Sequence, residues 1–368
     1  MISEKVYEQN KIVQDKTSCR TMKERLEYID ISKGLLIICV VLGHIGSICR
    51  EFGGIDNNYF NHSGWLLAMF YIPFYMQAFF FITGYTSNFN KPFGVFLKQN
   101  IQRILLPYVS FGVLYAAFNK LLFDKDFFFT TMDGEQLFFL VEYYWFLSSM
   151  FIAKVLYWLL NRMFNRRFAL MLCFISLLLG IAISTYYKGL TGTAHWHNFF
   201  HYRNALMMLV FIASGSWLKN CPPHERKKII TIGGIVYSFL FIIFQVMNIH
   251  IPSDGHGTSL PIEDVPMHLL FATTGTFFVM LVSKKIEEIN RIISAFLQKF
   301  GRYSLTVYTI HYMILEAIAA AVGYFYQPEG KIEGIVSYFS IAAITLFCCY
   351  LAIHLFNKKP LRYILGDF

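Results

Sequence analysis

Ten apolar stretches, each near the length of a bilayer crossing, run through the sequence at about 31–49, 66–87, 101–123, 137–159, 168–186, 204–219, 229–249, 266–283, 303–322 and 335–356. A helix rises about 1.5 Å per residue, so roughly 20 apolar residues cross a hydrocarbon core of about 30 Å. Inside that core every backbone N–H and C=O needs a partner within the protein, and a helix supplies them locally. The composition agrees: 56% of the 368 residues are apolar and only 15% charged, too few charges for an ordinary soluble domain. The expected fold is all-α, a polytopic transmembrane helical bundle. Some stretches are short, the sixth above all, which points to tilted or partly re-entrant helices.

Charge sets the orientation. With the N-terminal tail placed in the cytoplasm, 26 of the 32 basic residues fall on inner segments, leaving Arg50, Lys120, Lys125, Lys188, Arg203 and Lys331 outside. That asymmetry is what membrane insertion selects, and an error of one span would scramble it. Both termini are therefore expected in the cytoplasm. Residues 1–30 are a polar tail without the short apolar core or cleavage site of a signal peptide. Residues 31–356 form one ten-span membrane domain, and residues 357–368 a second cytoplasmic tail. The net charge of +9 is accounted for by this pattern, with no basic stripe suited to nucleic acid. The seven cysteines lack metal-ligand or disulfide-framework spacing and read as small buried hydrophobes. Abundant Lys, Ile, Phe and Tyr suit the cytoplasmic membrane of a low-GC bacterium. Self-association into a homo-oligomer is left open.

His44 is the first candidate for chemistry. It lies roughly 20 Å along the first helix from Ile31, well inside the hydrocarbon, where an ionisable group is costly and marks a functional site by default. Imidazole exchanges protons near neutral pH and can serve as a general base; the bland alternative is a hydrogen-bonded core histidine. Asp30 and Lys33 stand at the inner mouth of the same helix. Asp30 lies too far below His44 to orient it, and its expected partners are Lys33, Arg25 or Arg103, or simply the helix dipole. Two carboxylates could orient the ring: Glu316 in the ninth span, at a comparable depth, and Glu142 in the fourth, shallower. Lys98 and Arg103 flank the start of the third span, either as interfacial anchors or as an anion clamp for phosphate oxygens. His195, His197 and His201 in an outer loop have weak metal-ligand spacing, and no metal is expected; these residues, Arg203 or Asn204 could touch an acceptor. His311, with Tyr308 on the same face, reads as an interior polar contact or tunnel lining rather than the principal base.

These residues fall into motifs that resemble the acyltransferase type 3 family of integral membrane O-acyltransferases. YIDISKGLLIICVVLGH (28–44), FYMQAFFFITGY (74–85), QRILLPY (102–108), YWFL (144–147) and GRYSLTVYTIH (301–311) follow the family's order over nearly the whole chain. The likeness is strongest to its fucose 4-O-acetylase-like and exopolysaccharide acetyltransferase branch. The resemblance implies transfer of an acyl group, usually acetyl, from cytoplasmic acetyl-CoA to a hydroxyl of a glycan or glycolipid at the outer face. His44 then takes the family's essential histidine position, and Asp30 and Arg103 those of its acidic and basic mouth residues. Acetyl-CoA would dock on Lys33, Lys98 and Arg103, with His44 as base or, in a variant, as nucleophile. Two departures stand out. Asn100 replaces the first of a frequent arginine pair, with Lys98 as its nearest substitute, and Gln77 replaces a frequent proline. The competing class is a transporter or flippase of a lipid-linked sugar, which would more often show internal repeats and interrupted helices; neither is clear here.

Overall fold

A computed structural model describes residues 26–124, 144–191, 199–252, 261–356, 358 and 361–365. Every regular element among them is helical. In order they are α1 (Glu27–Gly53), α2 (Asn58–Tyr71), α3 (Tyr75–Thr86), α4 (Phe93–Asn100), α5 (Leu106–Phe123), α6 (Trp145–Met163) and α7 (Arg166–Thr191). Then follow α8 (Tyr202–Lys219), α9 (Pro223–Val246), α10 (Val265–Ile289), α11 (Arg291–Arg302), α12 (Ser304–Phe325), α13 (Lys331–Phe356) and the short α14 (Leu361–Ile364). Among the described residues, eight helical stretches are long and apolar enough to cross a membrane: α1, α2 with α3, α4 with α5, α7, α9, α10, α12 and α13. The predicted fourth and sixth spans correspond to α6 and α8. α8 is an interior element, buried along most of its length against α3, α6 and α7.

α1 is the axis of the bundle. It packs against α2, α3, α10, α11, α12 and α13, and buries Ile31, Leu36, Ile37, Val40, Val41 and Ile45. Several crossings bring backbones into direct contact. A Cβ at Gly34 would overlap the Leu297 carbonyl and one at Gly301 the Asp30 carbonyl, so only glycine lets α11 lie on α1. The Gly84 and Gly215 pair does the same for α3 and α8. Lipid tails are as apolar as leucine, so close packing through small residues is a main source of association here.

Three departures from the sequence expectation have local causes. The outer loop expected at Asp56–His62 is largely the first turn of α2, capped by the Asn57 side chain, which accepts from the amides of Tyr59 and Phe60 at 2.9 and 3.0 Å. The second span therefore starts earlier than 66 and breaks at Ile72–Phe74, where Pro73 has no amide hydrogen to continue the helix. α11, placed by charge alone in an inner segment, is an amphipathic helix. It buries Ser294, Leu297, Phe300 and Gly301, and leaves Ile292, Ile293 and Phe296 exposed.

Candidate active site

At the end of the bundle where α1 begins, a cavity of about 1090 Å³ reaches the surface beside the exposed Leu26 and Asn88. Its wall carries Lys33, Lys91, Arg103, Lys154, Lys219 and Arg226 from separate segments, with Asp30 the one carboxylate among the described residues of the lining. These cations are distant in sequence, and it is the folding of α3–α6, α8 and α9 around α1 that gathers them. Several are fixed in place. Lys219 Nζ donates to the Ser87 carbonyl at 2.6 Å, Lys91 Nζ to Gln99 Oε1 at 2.6 Å, and Arg226 to the Tyr85 hydroxyl at 3.1 Å. Arg103 is held by an unusual turn. Ile101–Leu105 is a single π-helical turn, closed by the Leu106 amide donating to the Ile101 carbonyl. Pro107 follows, and its missing amide hydrogen frees the Arg103 carbonyl from an ordinary i→i−4 bond.

Asp30 has a partner the sequence did not suggest. The Arg302 Nε lies 3.4 Å from Asp30 Oδ2, with the Asp30 side chain only 6% exposed. That arginine comes from α11, through the glycine crossing described above. Lys98, by contrast, is exposed and takes no part in the cavity wall. Asn100, two residues on, is buried and donates to the Phe96 carbonyl at 2.7 Å, a bond that serves the helix itself.

Away from the mouth the cavity is lined by apolar side chains: Ile37 and Val40 of α1, Met76 and Phe79 of α3, Phe146 and Met150 of α6. Tyr308 of α12 also lines it. His44 is one helical turn beyond Val40, and His311 and Tyr312 are one turn beyond Tyr308. The three meet. The Tyr312 hydroxyl lies 3.0 Å from both Nδ1 and Nε2 of His44, and the two ring centres are 4.6 Å apart. The His311 ring centre is 5.5 Å from that of His44. His44 itself is half-buried, whereas His311 is enclosed.

The remaining sequence candidates lie as follows. Glu316, fully buried, accepts from the Tyr115 hydroxyl and from Asn119 Nδ2 at 3.3 Å, both on α5. Tyr312 and His311, about one turn below Glu316, are side chains of α12 set against His44. Glu142, His195 and His197 lie outside the described residues. His201 is buried, with Nδ1 2.8 Å from Ser148 Oγ. Arg203 and Asn204 are buried at the start of α8. Among the described residues no cluster of His, Cys, Asp and Glu could hold a metal ion.

Sequence reasoning placed Lys91, Lys154, Lys219 and Arg226 only as orienting charges. Lys154 offered a signal: it stands nine residues inside α6, deeper than an interfacial anchor needs to be. Tyr312 offered none beyond its position next to His311. Comparison with known proteins adds one finding. A family model described as an acyltransferase domain matches residues 26–354, nearly the whole chain. No curated protein and no solved structure matches. The chain belongs to the acyltransferase type 3 family.

Proposed function

We propose that the protein transfers an acyl group, acetyl in the first instance, from cytoplasmic acetyl-CoA to a hydroxyl of a cell-surface or lipid-linked glycan. The cavity along α1 carries this reading: a cationic mouth, an apolar neck, and an imidazole one turn beyond it. Its volume of about 1090 Å³ lies just above the roughly 300–1,000 Å³ of small-molecule sites, as a long donor requires. Six cations in the lining suit the phosphates of coenzyme A, and Arg103 offers them a forked donor set. The neck suits an uncharged arm ending in a thioester, which supplies an activated acyl carbon.

In this mechanism Lys33, Arg103 and Lys154 hold the phosphates, while Lys91, Lys219 and Arg226 raise the local positive potential. Met76, Phe79, Phe146 and Met150 exclude water from the neck, which suppresses hydrolysis. His44 takes the proton from the attacking hydroxyl and returns it to the departing sulfur. Tyr312 holds the ring in place. Proton transfer of this kind contributes roughly 10²–10⁴-fold to a rate.

Binding of acetyl-CoA to the detergent-solubilised chain tests the reading. Saturable binding that weakens at least about tenfold in Arg103→Ala, and changes less than about twofold in Lys98→Ala, is expected. Absence of binding by the wild-type chain would remove the coenzyme A reading and favour transport of a lipid-linked sugar.

A further inference from the structure

His311 is fully enclosed, yet one of its ring nitrogens has no partner among the described residues. Its Nδ1 lies 2.8 Å from the Tyr308 carbonyl oxygen and 3.1 Å from that of Val307. Carbonyl oxygens only accept, so Nδ1 carries the proton and donates it. Nε2 is thereby fixed as a lone pair, and among the described residues nothing donates to it. A buried acceptor left in this state costs about 1–3 kcal/mol, and such groups are rare enough in native interiors to need a reason.

The reason lies beside it. The His44 and His311 ring centres are 5.5 Å apart. Two imidazoles joined by an N–H···N bond of about 3 Å have their centres roughly 5 Å apart, so a slight shift and turn of His44 would make that bond. The Tyr312 hydroxyl is equidistant from the two nitrogens of His44 and so favours neither tautomer. Glu316, the carboxylate at this depth among the described residues, is engaged by Tyr115 and Asn119.

We infer that His311 is the positioning residue for His44: its Nε2 accepts the N–H of His44, which fixes the His44 tautomer and leaves the opposite nitrogen as the base. The inference rests on the reading of His44 as general base. As the hydroxyl O–H breaks, a new N–H forms on His44, the hydroxyl oxygen bonds the acyl carbon, and the carbon–sulfur bond breaks. His44 then gives its proton to the departing thiolate. His311 keeps its Nδ1 proton throughout and gains none. It fills the part that a carboxylate plays beside a catalytic histidine elsewhere, without placing a charge in the hydrocarbon.

The test uses the full chain in proteoliposomes, with acetyl-CoA as donor and glycerol as a small hydroxyl probe, following thiol release and acetylglycerol. His311→Leu removes the acceptor; His311→Gln puts an amide oxygen near the position of Nε2. If Leu misfolds, His311→Asn, whose amide is too short to reach, replaces it. The expected result is a fall in kcat of about 10–100-fold for Leu, with acetyl-CoA affinity unchanged, and recovery to within about fivefold of wild type for Gln. Because the two histidines act as a unit, adding His311→Leu to His44→Ala should cost nothing further. A merely structural role would give additive losses and no rescue by Gln. Either of those results, or full activity of His311→Leu, overturns the inference. A wild-type chain without turnover, or an active His44→Ala, removes the underlying reading instead.

Discussion

A hydroxyl placed 3.0 Å from both nitrogens of an imidazole restrains where the ring lies more than which nitrogen holds the proton. Tyr312→Phe keeps the aromatic ring packed on His44 and deletes only that hydroxyl. One hydrogen bond is worth about 1 kcal/mol, so kcat should fall roughly fivefold with acetyl-CoA affinity unchanged. Steady-state kinetics decide it, and a loss above about 100-fold would mean that the hydroxyl takes part in the proton transfer itself. The residues legible in the sequence were those whose oddity is local. His44 is an ionisable group in an apolar helix, and Asp30, Lys33 and Arg103 are charges at a helix mouth; the cavity reaches one turn short of the first and is lined by the others. What stayed hidden depends on which helix neighbours which. The contact of Tyr312 with His44, the vacant Nε2 of His311 and the Asp30–Arg302 pair all require α1 to lie between α11 and α12. Lys98 shows the converse: it shares a motif with Arg103, but five residues of helix and a π turn send it to the exposed side.

At the scale of elements, the π turn before Pro107 is the feature on which the mouth geometry rests. Pro107→Ala restores an amide hydrogen facing the Arg103 carbonyl, so the turn can tighten to ordinary α geometry and carry Arg103 off the cavity wall. Acetyl-CoA affinity should fall at least about threefold while the melting temperature stays level or rises. Unchanged affinity would show that the turn does not set the position of Arg103. The helices themselves were legible from apolar length, and their edges much less so. Asn57 starts α2 inside what charge and aromatic content suggested was a loop, and Pro73 divides a span that hydropathy reads as continuous. α11 escaped notice because its apolar residues are spaced along one face and never form a run.

At the scale of the molecule, the fold turns positive charges that orient a membrane protein into the wall of one cavity. Lys91, Lys154, Lys219 and Arg226 do double duty, which a reading by topology alone cannot see. A site built from six cations binds a polyanion in a salt-dependent way, since ionic screening acts within about 8 Å at physiological strength. Affinity for acetyl-CoA should therefore weaken several-fold as salt is raised from about 0.05 to 0.5 M, measured by equilibrium binding. A flat response would indicate that the neck, rather than the mouth, supplies the binding energy.

All of this converges on a single nitrogen atom of α1. The decisive measurement takes purified His44→Ala in lipid and records acetyl-CoA binding and acetyl transfer side by side. Binding within about twofold of wild type, with transfer lost by at least about 100-fold, is the result the proposed chemistry requires. Transfer retained at the wild-type rate would show that the proton is taken elsewhere and that the imidazole is only part of the packing.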